Sequence, residues 1–386
     1  MKDHATSLRE IFLLFFRLGV ISFGGPAAHT AMIRDEVVSR RAWMSDQRFL
    51  DLVGATNLIP GPNSTELAIF IGWERRGWAG LLTAGLAFIL PATLLAGTCG
   101  WAYVRYGSVP EAAAMLNGMK PAILGIIVRA IAGLAPAAAK SSKLRVLGVL
   151  ALVLAATGAH ELLVLFGIGL MASVWGTPPP RSPEEDAHPA VLPPLGPAAA
   201  VLASAAVLPL SLSGIFLVFL KIGALLVGSG YVLFAFLRGD LVERLGWLSE
   251  TQLIDAIAVG QITPGPMFTT ATFIGYVLAG PGGAVAATLG IFLPAFAFVA
   301  ASGPLLPKLR ASPRASAFLD GINVAAIALM ALVTVQLGRA AIHDIPTMLI
   351  GLVATVLMVR YKINSAWLVL GGALAGVFLG WIQAGG

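Results

Sequence analysis

Pro60-Gly61-Pro62 lies between two apolar stretches that are each too short to cross a bilayer comfortably, and it returns as Pro264-Gly265-Pro266. Proline lacks a backbone N–H and drives the residue before it out of helical geometry. A helix is therefore expected to end near Leu58 and another to begin just after Pro62, with Gly61 allowing the tight turn between them. At membrane depth such a break leaves unpaired carbonyls at one helix end and unpaired N–H groups at the start of the next. Hydrocarbon satisfies neither, so they must face protein, water or a bound ion.

Membrane depth is what the composition implies. The chain is 58% hydrophobic and 11% charged over 386 residues, against about a quarter charged in ordinary soluble domains. Its length accommodates about ten spans of roughly 20 residues. Long runs of Leu, Ala and Gly predict an all-α integral membrane protein, because a barrel would show alternating segments of about ten residues. No extramembrane catalytic domain fits in what remains. The net charge of +6 comes from Lys and Arg scattered between apolar runs, which suits a lipid bilayer as partner and not nucleic acid. The single cysteine, Cys99, excludes a disulfide framework and a cysteine metal cluster. His29 has no histidine or cysteine partner at ligand spacing, so no metal is expected. No Ser-His-Asp order, Walker loop or dinucleotide fingerprint is present, so neither an enzyme nor a cofactor is expected. The mixed-charge start runs into the first apolar stretch with no small-residue cleavage pattern, which reads as a retained span.

The chain is also internally duplicated. Ile11 to Gly19 matches Ile215 to Gly223 at an offset of 204, and the register carries Arg17 onto Lys221, Gly24 onto Gly228, Trp43 onto Trp247, Asp51 onto Asp255 and one turn onto the other. Beyond the turn the offset becomes 203, pairing Phe70-Ile71-Gly72 with Phe273-Ile274-Gly275 and Gly118 with Gly321. Two homologous transmembrane repeats, 1–176 and 201–386, flank a Pro-rich acidic linker at 177–200. Each repeat reads as a first helix interrupted near its glycines, an amphipathic stretch, two short helices about the turn, a long span from about Trp78 to Val104, and three further apolar segments. If the turn forms a re-entrant hairpin, each half crosses about five times. An odd count makes the copies inverted repeats.

Three features converge on a small-anion site. The second arms begin at Asn63-Ser64-Thr65 and Met267-Phe268-Thr269, where free N–H groups and the positive end of a helix dipole are available. Gly24, Gly25 and Pro26 interrupt the first helix, as do Gly228 and Gly230 in the second copy; these glycines admit a ligand to the backbone or else serve close packing. Arg17 and Lys221 are cations inside apolar runs, placed to meet an anion or to snorkel to the interface. Asn57 and Gln261 precede the turns and either donate to an oxyanion or cap a helix. Glu66 is a carboxylate in an apolar arm, a candidate for proton coupling or for an ion pair with Arg17. Asp51 and Asp255 read as interfacial residues or dipole partners.

The run Phe15-Phe16-Arg17-Leu18-Gly19-Val20-Ile21-Ser22-Phe23-Gly24-Gly25-Pro26, with Trp43, Asp51 and Asn57 through Thr65, resembles the chromate ion transporter family. So does Gln261-Ile262-Thr263-Pro264-Gly265-Pro266, and the likeness extends over both halves, as in two-domain members. The resemblance implies a carrier of the cytoplasmic membrane that exports chromate, driven by the proton-motive force. The second copy departs from it with Gly228-Ser229-Gly230. Sulfate, a dianion of similar size, is the alternative substrate, an anion channel is the alternative transport mode, and a homodimer is one assembly open to such a chain. The expected site is formed by Arg17, Lys221, the interrupting glycines with Pro26, Asn57, Gln261, both Pro-Gly-Pro turns, Asn63, Ser64, Thr65 and Thr269, with Glu66 as coupling acid.

Overall fold

The computed structural model describes residues 6–22, 26–56, 59–107, 109–175, 209–226, 232–302, 313–361, 363 and 365–384. Among these residues there are fourteen α-helices and no strand. The first half contains α1 (Leu8–Ile21), α2 (Pro26–Arg34), α3 (Asp46–Thr56), α4 (Asn63–Tyr106), α5 (Pro110–Ala138), α6 (Ser142–Ala156) and α7 (Glu161–Trp175). The second contains α8 (Leu212–Leu225), α9 (Leu233–Leu237), α10 (Glu250–Ile262), α11 (Thr270–Ser302), α12 (Pro313–Ala341), α13 (Ile345–Tyr361) and α14 (Ser365–Ala384). Each helix of the first set has its counterpart seven places later. The duplication therefore extends to the ends of the elements.

Local chemistry recurs with it. Ser7 Oγ accepts from Glu10 N–H at 3.1 Å to start α1, and Ser211 Oγ accepts from Gly214 N–H at 3.0 Å to start α8. Ser45 and Ser249 cap α3 and α10 in the same way, and Ser249 N–H donates in return to Gln252 Oε1. Both second helices run into π-helical turns, Asp35–Arg40 and Arg238–Arg244.

The 44 residues of α4 are two helices. Arg76 and Gly77 leave helical geometry, with Gly77 at φ +54°, and Ala279 and Gly280 do the same in α11, with Gly280 at φ +60°. Eight residues of continuous helix would separate Gly72 from Gly80 by about 12 Å. Their backbones instead touch, so that a Cβ on either would strike the other's carbonyl, and Gly275 and Gly283 repeat the contact. Ile69 meets Gly85, and Thr272 Oγ1 lies 2.7 Å from Thr288 Oγ1, so the short and long arms run antiparallel. The expected long span from Trp78 is thus present, preceded by a short arm folded back on it.

Among the described residues, five helices, α4, α5, α11, α12 and α14, are long and apolar enough to cross a membrane, while α7, α8 and α13 are shorter apolar helices. At 14 residues, α1 extends only about 21 Å, less than the hydrocarbon thickness. Exposed large side chains such as Leu82, Leu86, Leu94, Leu163, Leu352, Leu374 and Phe378 coat the outside, which suits lipid.

Packing crosses between the halves. Helix α1 lies on α4 and α8 on α11, and α4 and α11 lie on each other. Helix α5 packs on α13 and α14 of the other half, and α12 packs on α6 and α7. One apolar cluster, around Phe15, Phe49, Phe70 and Phe88, reaches across to Ala295 and Val299 of α11. Close helix approach sets the glycine pattern here, since Gly19 abuts the carbonyl of Phe88 and Gly223 that of Ile291.

Candidate functional site

The two Pro-Gly-Pro turns each reach into the opposite half. Gly61 N–H donates to the carbonyl of Leu226, the residue that ends α8, at 2.8 Å, and Gly265 N–H donates to the carbonyl of Ser22, the residue that ends α1, at 2.8 Å. Both donor and acceptor positions differ by the repeat offset of 204. Each turn thus satisfies the orphan carbonyl left where the other half's first helix stops. Both glycines have positive φ, +136° at Gly61 and +89° at Gly265. Gly24, Gly25, Asn57, Gly228 and Gly230 lie outside the described residues; α2 begins at Pro26, as a proline at a helix start should.

Polar groups gather at the first turn. Pro62 carbonyl accepts from Thr65 N–H at 2.7 Å and Glu66 N–H at 3.0 Å, opening α4. His29 is buried; its Nδ1 lies 3.2 Å from Ser64 Oγ and its Nε2 lies 3.0 Å from Ser22 O. One imidazole so ties the end of α1 to the start of α4, and its neutral form meets both contacts by donating from Nε2 and accepting at Nδ1. Thr65 and Glu66 are fully buried, and among the described residues Thr65 Oγ1 and both Glu66 carboxyl oxygens have no hydrogen-bond partner. The carboxyl sits where a Cβ on Gly61 would stand, so glycine there serves the turn and makes room for the acid. A buried carboxylate without a donor or counterion is expensive.

The second turn is built differently. Met267 and Phe268 are buried at the start of its arm, Thr269 Oγ1 donates to Pro266 O at 2.8 Å, and Thr270 Oγ1 donates to Met267 O at 2.8 Å. The amide of Gln261 is buried beside Met267 Sδ, 4.0 Å from it. A short 3₁₀ turn, Met267–Thr269, precedes α11. Polar side chains here are spent on local backbone, and the half-site is more apolar than the first.

Arg17 and Lys221 engage acids of the following π-helical turns. Arg17 Nη1 lies 3.7 Å from Glu36, which also holds Arg40 at 3.1 Å and Arg41. Lys221 Nζ lies 2.6 Å from Asp240, which also holds Arg244 at 2.9 Å. The clusters are related by the repeat but differ in access. The Arg17 side chain is 56% exposed and that of Lys221 only 10%.

The structure brings together three residues that the sequence pattern did not connect. Lys120 Nζ of α5 lies 3.2 Å from Asp255 Oδ1 of α10, and Tyr103 Oη of α4 donates to Asp255 Oδ2 at 2.9 Å. Lys120 and Asp255 are both buried. Asp255 is thus an interior partner across the halves rather than an interfacial residue, while the Asp51 side chain lies outside the described set. His29 was equally unannounced, since its role depends on Ser22 and Ser64. The available sequence signal was a histidine, a lysine and an aspartate inside otherwise apolar stretches.

These features define a helical membrane protein of two homologous halves whose broken hairpins interlock at one polar centre. The chromate transporter family profile matches residues 9–174 and 213–377, and the chain belongs to that family. It is 34% identical to the chromate transport protein of Cupriavidus metallidurans over 96% of this chain and 93% of that protein. It is 33% identical to a probable chromate transport protein of Synechococcus elongatus, over 97% and 96% of the two chains. The chromate transport protein of Pseudomonas aeruginosa is 31% identical, over 96% and 92%. No solved structure matches it.

Proposed function

We propose that this chain is a secondary transporter that exports chromate across the cytoplasmic membrane, driven by the proton-motive force. The family and the full-length relatives named for chromate transport support the substrate. The observation that carries the site is the reciprocal pair of bonds from Gly61 to Leu226 and from Gly265 to Ser22. It joins both turns to both helix interruptions, and a ligand bound there touches both halves.

The dianion sits between the turns, nearer the first. The start of α4 offers the helix-dipole terminus and the unpartnered Thr65 hydroxyl, with His29 and Ser64 beside it. Asn57, the glycines at 24, 25, 228 and 230, Pro26, Gln261, Thr269 and the second turn are the remaining binding candidates, on the grounds of their sequence pattern. Arg17 is the exposed cation through which an incoming oxyanion exchanges with Glu36, and Lys221 is its occluded counterpart. Rocking of inverted repeats 1–176 and 201–386, joined by 177–200, exposes the site to each side in turn. Glu66 changes charge as the site loads and empties: ionised it repels a dianion, and protonated it donates a hydrogen bond to one.

The test is chromate flux in proteoliposomes under an imposed pH gradient, for wild type, Arg17→Ala and Glu66→Gln. Flux lost in Arg17→Ala and insensitive to pH in Glu66→Gln is expected. Absence of chromate flux from folded wild type, with sulfate flux in its place, refutes the substrate.

A further inference from the structure

A cavity of about 330 Å³ opens between the start of α5, the 343–347 turn into α13 and the end of α14. Its wall carries Glu111, His343, Asp344, Thr347 and Asn117. Asp344 is held ionised, its carboxyl pulled below the usual carboxylate range by the Thr347 hydroxyl and amide, which bond it at 2.6 and 2.8 Å. An acidic mouth disfavours an oxyanion and concentrates cations, hydronium included. From the wall, Asn117 Oδ1 accepts from Lys120 Nζ at 3.1 Å, and Lys120 pairs with buried Asp255, which accepts from Tyr103. A polar line therefore runs from the cavity to α10, the arm that leads into the second Pro-Gly-Pro turn.

We infer that this vestibule is the proton inlet of the transporter and that Asp255 is the residue it loads, a site distinct from Glu66. A proton from vestibule water is taken up by the Asp255 carboxylate, giving the neutral acid, and the same proton leaves to the other side when the site reopens. Only an O–H bond is made and broken. Loading removes the charge that ties α10 to Lys120 of α5 and frees the hairpin to move; unloading restores the tie. Besides Lys120 and Tyr103, the titratable groups on α5 and α4, both packed on α10, are Glu111 and Arg129 of α5 and Glu66, Glu74, Arg75, Arg76, Cys99, Arg105 and Tyr106 of α4. Among the elements packed on α10, α11 carries Tyr276, α12 carries Arg314, Asp320 and Arg339, and α14 carries no titratable side chain in its described range. None of these bonds to Asp255. The neighbouring π-helical turn spends its charges within itself and on Lys221 of α8 and Glu250 at the start of α10.

The inference rests on proton-driven transport as proposed above, and the experiment separates the two. Reconstituted protein is assayed for chromate exchange, which needs no net proton movement, and for accumulation driven by a pH gradient. Each coupled proton permits about tenfold accumulation per pH unit. Asp255→Asn is expected to keep exchange and lose gradient-driven accumulation. Because a variant of a buried ion pair can fail to fold, a second arm uses Ala113→Cys on the vestibule wall in a Cys99→Ala background. A bulky maleimide added to the folded, reconstituted protein should abolish accumulation and spare exchange, relative to the same protein before labelling. Wild-type accumulation in labelled Ala113→Cys, or in folded Asp255→Asn, overturns the inlet. Exchange by wild type with no response to the gradient overturns the coupling reading itself.

Discussion

Replacing Gly265 with alanine probes the seat of the second turn on the first half. Two costs add. The residue has φ +89°, where an L side chain is strained by on the order of 1–2 kcal/mol. Its new Cβ would stand 2.9 Å from the Cβ of Ala92 on α4 and 3.4 Å from the carbonyl of Gly19, and overpacking of that kind costs about 1–3 kcal/mol. The sum is about 2–5 kcal/mol. Gly158 supplies the control: its φ is +83° and nothing lies within 4 Å of a Cβ there. Gly158→Ala should therefore show the strain alone, about 1–2 kcal/mol. Thermal unfolding followed by tryptophan fluorescence in detergent, with both variants beside wild type, reads the difference. Gly265→Ala should melt well below Gly158→Ala and lose chromate flux as its bond to Ser22 is displaced. Equal melting of the two would refute the close approach of turn and helix, and the interlocked centre with it.

Removing the His29 imidazole leaves the buried Ser64 hydroxyl without that partner and the Ser22 carbonyl with the Gly265 N–H alone. His29→Ala should lower stability by about 1–3 kcal/mol in the same melt; no loss would show that the two contacts carry nothing. Lys221→Met strands Asp240 with Arg244 alone in a buried setting and should cost about 3–5 kcal/mol. Its mate Arg17→Met, more than half exposed, should cost at most about 1 kcal/mol, so similar melting of the two would contradict the difference in access. Gly72→Val drives a side chain into the Gly80 carbonyl and should prevent recovery of folded protein, whereas Gly133→Ala meets open space in a helix and should be neutral or stabilising by about 0.5–1 kcal/mol. Size-exclusion profiles of the two purified proteins decide it.

Much of the architecture is written along the chain. The duplication, the break at each Pro-Gly-Pro and the long arm beginning near Trp78 follow from residue types whose backbone preferences act locally. Proline and glycine carry that information wherever they sit, so the helices begin and end close to the expected places. Glu66 was equally visible, because a carboxylate in an apolar arm is costly in any fold that buries it.

Partnership was not visible. That Glu36 and Asp240 engage Arg17 and Lys221 depends on how each π-helical turn folds back on the first helix of its own half, and that Gly61 bonds to Leu226, Gly265 to Ser22 and Lys120 to Asp255 depends on how the halves dock. Residues more than a hundred positions apart have no local signal that marks them as neighbours. The sequence by itself determined where this backbone must break and that Arg17, Lys221 and Glu66 lie inside apolar runs. Tertiary packing decided which group answers each broken end and each buried charge, because hydrogen bonds and ion pairs form over about 3 Å, a distance that only the folded chain sets.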